Sequence, residues 1–280
     1  MKSHNALKGR TTMGKPSCTR AALARAAIVF ALALAAGPWA PAGAQPGPQP
    51  SEAGKPALEA LVMAAERQKN FSGSDYSCEL ELVTTGEGGK VTTSTMRLFR
   101  RDARRQLVAL VLSPASERGE GYLRLDDNLW FFDAETGAYV HRVLSDAIGD
   151  SEMDSGDMEP DSYLEGYRAA GIEPGKLGSN EVDILSLEET SPQVYPRIRL
   201  WLRKADSLLL KEEYFGASGR LIRYVLYPGH VRIGARTTAS KAIYVDALDP
   251  ARRTVVTFSA QSFGGLPDSL FSKTFLERSH

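Results

Sequence analysis

From residue 76 onward the hydrophobic positions fall two apart. Tyr76-Ser-Cys78-Glu-Leu80-Glu-Leu82 alternates apolar and polar side chains, the period of a strand wet on one face. Ile198-Arg-Leu200-Trp-Leu202-Arg repeats it, with Ile198, Leu200 and Leu202 on one face and Arg199, Trp201 and Arg203 on the other. Further runs at 91–101, 106–112, 121–126, 129–133, 138–144, 181–187, 208–215, 221–227, 240–246 and 254–260 are separated by turn signals such as Asp126-Asp-Asn128 and Ala217-Ser-Gly219. About a dozen short strands joined by tight turns predict a meandering antiparallel sheet. One helix precedes them: after Pro56, Leu58, Leu61, Val62 and Ala65 recur at helical spacing, and one apolar stripe requires something to lie on. Between 145 and 179 neither period holds. This stretch carries Asp150, Glu152, Asp154, Asp157, Glu159 and Asp161, and it predicts a long irregular connection, a functional lid or a mobile loop. A helical turn or two from 161 to 168 would point Tyr163, Leu164 and Tyr167 inward.

Some strands are apolar on both faces. Trp130, Phe131 and Phe132 are consecutive, as are Leu208, Leu209 and Leu210, and Leu221 adjoins Ile222. Two apolar faces need cover on both sides, by a helix, by the opposite wall of a barrel or by a ligand. A fully packed core and an open cavity both fit this pattern.

Residues 1–44 hold six basic residues and no acid, an apolar run at 26–36, and then Ala42-Gly-Ala44. These are the parts of a cleaved secretory signal peptide, and the apolar run is short of the ~20 residues of a membrane span. Their removal would leave 28 basic against 34 acidic residues, a net charge of −6. Such a chain offers no basic surface for nucleic acid. Residues 45–55 read as a flexible leader and 56–280 as one domain, a periplasmic monomer. The remaining cysteine, Cys78, falls on the apolar side of its strand and reads as a buried thiol.

Candidate chemistry is sparse. His141, His230 and His280 have no metal-ligand spacing, and neither a nucleophile elbow nor a phosphate loop is present. No cofactor and no enzymatic activity are expected. Asp150-x-Glu152-x-Asp154 imitates the start of a calcium loop, but Ser155 stands where that loop needs glycine and the flanking helices are missing, so a solvated loop is the favoured reading.

Order and spacing of several motifs together resemble the outer-membrane lipoprotein-sorting (LolA-like) family. Arg118-Gly-Glu-Gly-Tyr-Leu123 running on to Trp130-Phe-Phe132 is similar to its R-G-x-G-[FY]-L…W-x-[FY] pattern. Met153-Asp-Ser-Gly-Asp157 resembles its M-G-S-D segment with the glycine displaced, and Pro160 is expected to disturb the small helix there. Tyr195 to Trp201, Tyr214 to Leu221, and Leu266 to Leu276 resemble a strand, a hairpin and the family's C-terminal closure.

The resemblance spans about residues 56–278 and implies a mainly β (α+β) fold. That fold is a half-open antiparallel barrel of about 11 strands, with an N-terminal helix and lid helices over an apolar concave face. It implies a carrier of lipid or lipoprotein acyl chains working with inner- or outer-membrane export components. Leu98, Leu110, Leu123, Trp130, Phe132, Leu200 and Tyr224 are the expected cavity residues. Leu58, Leu61, Val62, Tyr163, Leu164 and Tyr167 are the expected lid. The alternative is an interaction protein of the same fold, using Trp201, Arg199 and Arg203 as a protein-binding face.

Overall fold

The computed structural model describes residues 54–160 and 162–279. The expected signal peptide, and the leader as far as residue 53, lie outside them. Helix α1 (Lys55–Glu66) starts with Pro56 in its first turn and buries Leu58, Val62 and Ala65. Strands β1 (Tyr76–Thr85), β2 (Val91–Arg101), β3 (Gln106–Ser113), β4 (Gly121–Leu125), β5 (Asn128–Asp133) and β6 (Ala138–Arg142) form the first run. After the short helix α2 (Tyr163–Gly166) comes the second run: β7 (Tyr167–Leu177), β8 (Asn180–Glu189), β9 (Arg197–Arg203), β10 (Leu209–Phe215), β11 (Leu221–Ile233), β12 (Arg236–Asp246) and β13 (Arg253–Phe263). Helix α3 (Lys273–Glu277) follows.

All thirteen strands belong to one antiparallel sheet ordered β6-β5-β4-β3-β2-β1-β13-β12-β11-β10-β9-β8-β7. The sheet is curled but not closed, a half-open barrel. Thirteen strands replace the expected eleven or so because the stretch expected to be irregular contains β7. That strand carries Gly171, Pro174 and Gly175 and no clean alternation. At a sheet edge proline forfeits no ladder bond, so propensity does not veto the strand.

β6 and β7 are consecutive in sequence yet occupy opposite edges, so residues 143–166 must span between them. This strap crosses the concave face and drops Ile148, Met153, Met158 and Tyr163 into the main core. There they meet the inward positions of the sheet, among them Leu82, Met96, Val111, Leu200 and Val225. Pro160 separates two short helical pieces, a 3₁₀ turn at Ser155–Met158 and α2.

Among the described residues, the opposite face is covered on one half only. There the C-terminal segment lays Phe271 and Leu276 over Val108, Leu110, Leu123 and Phe132. Gly121 makes this approach possible: a Cβ at that position would stand 2.8 Å from Leu276 Cδ2 and 2.6 Å from the Ala109 carbonyl oxygen. Arg101 fixes the segment's start, donating to the Leu266 carbonyl and to Asp75, whose carboxylate accepts the Leu266 amide at 2.8 Å.

Candidate functional site

The strap is held to the concave face by charges on strands that otherwise point apolar groups inward. Arg223 on β11 stands among Tyr195, Tyr214 and Tyr244 and donates to Asp154 and, at 2.7 and 2.8 Å, to both oxygens of Asp157. Asp154 caps the 3₁₀ turn, and its own amide donates to Asp157 at 2.7 Å. Burial pushes the Asp154 carboxyl up, outweighing the pull of Arg223. Burial likewise opposes the Arg223 charge, but Asp157, Tyr214 and Asp154 overcome it and raise its pKa. Arg124 on β4 pairs with Glu159 of the strap.

A second anchor is Glu212 on β10, which is fully buried. Its carboxylate accepts from Lys69 at 3.1 Å, Tyr214 at 2.8 Å, Tyr227 at 2.6 Å and Tyr163 of α2. Burial by itself would raise its pKa; Lys69 and the three hydroxyls more than offset this and leave it lowered. Two further bonds tie in α1 and the loop after it: the Leu164 amide donates to Glu66 and the Leu209 amide to Gln68.

The strap leaves a cleft on either side. One, of about 720 Å³, is lined by Arg100, Arg124, Asp157, Glu159, Tyr195 and Arg223 among others. The other, of about 790 Å³, runs past Thr84, Met96, Glu120, Phe131 and Arg142. Both are polar at the rim, and the apolar floor between them is filled by the strap.

The structure does not bring the seven expected cavity residues together. Leu98 and Leu200 belong to the main core under the strap. Leu110, Leu123, Trp130 and Phe132 project from the other face, beneath the C-terminal segment. Tyr224 is on that outer side too, beside Lys211. The reason is parity: Tyr122 and Phe131 face inward instead, and where both faces are apolar the pattern does not say which is inner.

Of the lid residues, Leu58, Val62 and Tyr163 are buried, Leu61 and Tyr167 pack at the margin, and Leu164 is exposed. Arg199 pairs with Glu173, Arg203 with Asp206, and Trp201 donates to Glu213, all on the outer face. Asp150 is exposed, Glu152 pairs with Arg252 at 2.8 Å, and Asp154 pairs with Arg223; no acid-rich group among the described residues could hold a metal ion. Burial pushes the Cys78 thiol up to about 11.

Sequence reasoning did not find Arg223, Glu212 or Arg124. Inward parity was the available signal: Arg223 is two residues from Val225 and four from Tyr227. For Glu212 a register irregularity between Leu209 and Lys211 masks the parity.

A family model whose description reads "-like: Uncharacterized protein" matches residues 103–278. No curated protein matches the sequence. Among solved structures, a LolA superfamily protein from Nitrosomonas europaea is similar at 20% identity and TM-score 0.67, covering 78% of this chain and 98% of its own. An outer-membrane lipoprotein-sorting protein domain from Vibrio parahaemolyticus is similar at 20% identity and TM-score 0.69, covering 79% and 100%. A DUF1329 family protein from Desulfovibrio piger is similar at 18% identity and TM-score 0.69, covering 82% and 100%. At these identities the likeness is one of fold.

Proposed function

Since the chain belongs to the family matched over residues 103–278 and has the lipoprotein-sorting fold, we propose that it is a periplasmic, non-enzymatic carrier of lipid or lipoprotein acyl chains. One observation carries this reading: the concave apolar face is occupied by the connection between β6 and β7, not by the sheet's opposite wall. Ile148, Met153, Met158 and Tyr163 fill the volume that an acyl chain would need. Burying four such side chains is worth roughly 6–12 kcal/mol at ~1.5–3 kcal/mol each. An acyl chain of about sixteen carbons is worth roughly 13 kcal/mol at ~0.8 kcal/mol per CH₂. The two apolar terms are of similar size, so cargo and strap compete for one face with no covalent step, and the strap's ion pairs add to its hold. Methionine suits the role, being unbranched and adaptable in shape.

The test is native mass spectrometry with lipid extraction on residues 45–280, purified from a periplasmic fraction without detergent. Phospholipid or acylated peptide at near-unit stoichiometry is expected. A clean apo mass that also ignores added lipid would overturn the reading and favour the protein-partner alternative, which loss of partner in Trp201→Ala would then support.

A further inference from the structure

Arg124 and Arg223 are exposed to only 6% and 8%, and both line the 720 Å³ cleft from opposite halves of the sheet. Among the described residues, every side-chain carboxylate bonded to them comes from the strap: Glu159 for Arg124, Asp154 and Asp157 for Arg223. Arg100 is the contrast. Its partner Asp102 directly follows β2, at 2.7 and 3.0 Å, and stays with it wherever the strap goes. Of the acids outside the strap, Asp126 in the turn after β4 meets Arg124 through its backbone carbonyl, which accepts from Nε at 2.6 Å. Asp246, across from Arg223 on β12, accepts from the amides of Leu248 and Asp249, and Asp127 pairs with Arg105.

A strap that leaves the face therefore takes three carboxylates with it and strips two guanidinium groups of their counter-charges. Water can solvate them in an empty open site, but cargo that covers the face again buries both charges, and unpaired buried charge is costly unless the cargo brings its own oxyanion. The closed fit is also incomplete. Arg223 Nε is buried without a hydrogen-bond partner, so the strap's carboxylates do not saturate its donors. A phosphate offers more acceptor oxygens than a carboxylate and suits the fork of an arginine.

We propose that the opened site takes an amphiphile with an anionic, phosphate-bearing head group, Arg124 and Arg223 binding the head while the acyl chain takes the place of Ile148, Met153 and Met158. The strap's acids are then internal stand-ins for that head group. This rests on the carrier reading.

The test titrates residues 45–280 with two ligands of equal chain length below their micelle concentrations, lysophosphatidylglycerol and the neutral monoacylglycerol. Wild type should bind the anionic ligand about tenfold tighter or more, the worth of one charge-assisted hydrogen bond or better. In Arg124→Gln/Arg223→Gln that difference should collapse. In Asp154→Asn/Asp157→Asn/Glu159→Gln, which keeps both arginines and removes their internal competitors, the difference should grow; this second variant decides the matter if the first does not fold. Equal affinity for both ligands in wild type and in the acid-stripped variant would overturn the head-group assignment and leave the carrier reading standing. Failure of both ligands to bind any variant would overturn both. Inorganic phosphate that binds alone as tightly as the lysolipid would make this a free-anion site and overturn the lipid assignment.

Discussion

Replacing Glu212 with glutamine tests how the strap is fastened. The substitution keeps shape and volume, so packing is unchanged and the loss is electrostatic. Glu212 Oε1 and Oε2 both lie 3.1 Å from Lys69 Nζ, and three tyrosine hydroxyls donate to the same carboxylate. Glutamine keeps one acceptor oxygen and puts an amide donor against hydroxyls that already donate. Lys69, its side chain 18% exposed, loses the charge of this carboxylate. Breaking a buried pair in this way costs about 3–5 kcal/mol, a large part of the ~5–15 kcal/mol typical of a folded domain. Urea unfolding should show the midpoint falling by about 1 M or more with an unchanged slope. Tyr163→Phe should cost about 1.5–3 kcal/mol in wild type but under ~1 kcal/mol in the Glu212→Gln background, because its charged acceptor is gone. A loss below ~1 kcal/mol for Glu212→Gln, or additive effects of the two substitutions, would refute the reasoning.

Acid should loosen the same anchor. The Glu212 pKa is lowered by folding, so its contribution is intact above about pH 4.3 and is lost as pH falls through the folded-state value. Wild-type stability should drop over that range, and Glu212→Gln should show a shallower dependence in the same urea titrations. Gly121→Ala should cost about 1–3 kcal/mol and release the C-terminal segment, seen as faster amide exchange across α3, since the new methyl meets Leu276 and the Ala109 carbonyl. Leu276→Ala, from a fully buried position, should cost about 2–5 kcal/mol by thermal or urea unfolding. Cys78, 2% exposed and with its thiol raised to about 11, should resist thiol reagents at pH 8 until the sheet itself opens; rapid labelling of the native protein would contradict its placement.

The sheet was legible wherever one face is wet. β1 and β9 alternate plainly, and their buried positions are the ones the period picks out. Cys78 follows from the same parity. Legibility failed where the period-two code carries no contrast. In β3 to β5 both faces are apolar, so Leu110, Leu123, Trp130 and Phe132 could be placed on a strand but not on a side. β7 is an edge strand whose glycines and proline remove its signal altogether. The ion-pair network was hidden for a different reason: Glu212 and Arg223 look like surface residues until the strap and the loop after α1 bring their partners. Tertiary contacts made those burials tolerable, and no local pattern encodes them. Of the candidate site, the apolar strap residue Tyr163 was anticipated, whereas the charges that fasten the strap were not.

β1 and β13 pair along their whole length, yet Thr85 and Arg253 stand at opposite ends of the folded chain's sequence. Every other pairing in the sheet joins sequence neighbours. During synthesis, which delivers the N-terminal half first, β1 through β6 can zip up as a six-stranded meander while one long side of β1 waits for a partner made last. An unpaired strand edge of ten residues, backed by Leu80 and Leu82, is a template for the wrong neighbour. A circular permutant opened within the strap and rejoined between its original ends would make every strand pairing local. It should refold faster and aggregate less than the native order. The native order therefore trades rapid assembly for a continuous link between the two rims of the sheet.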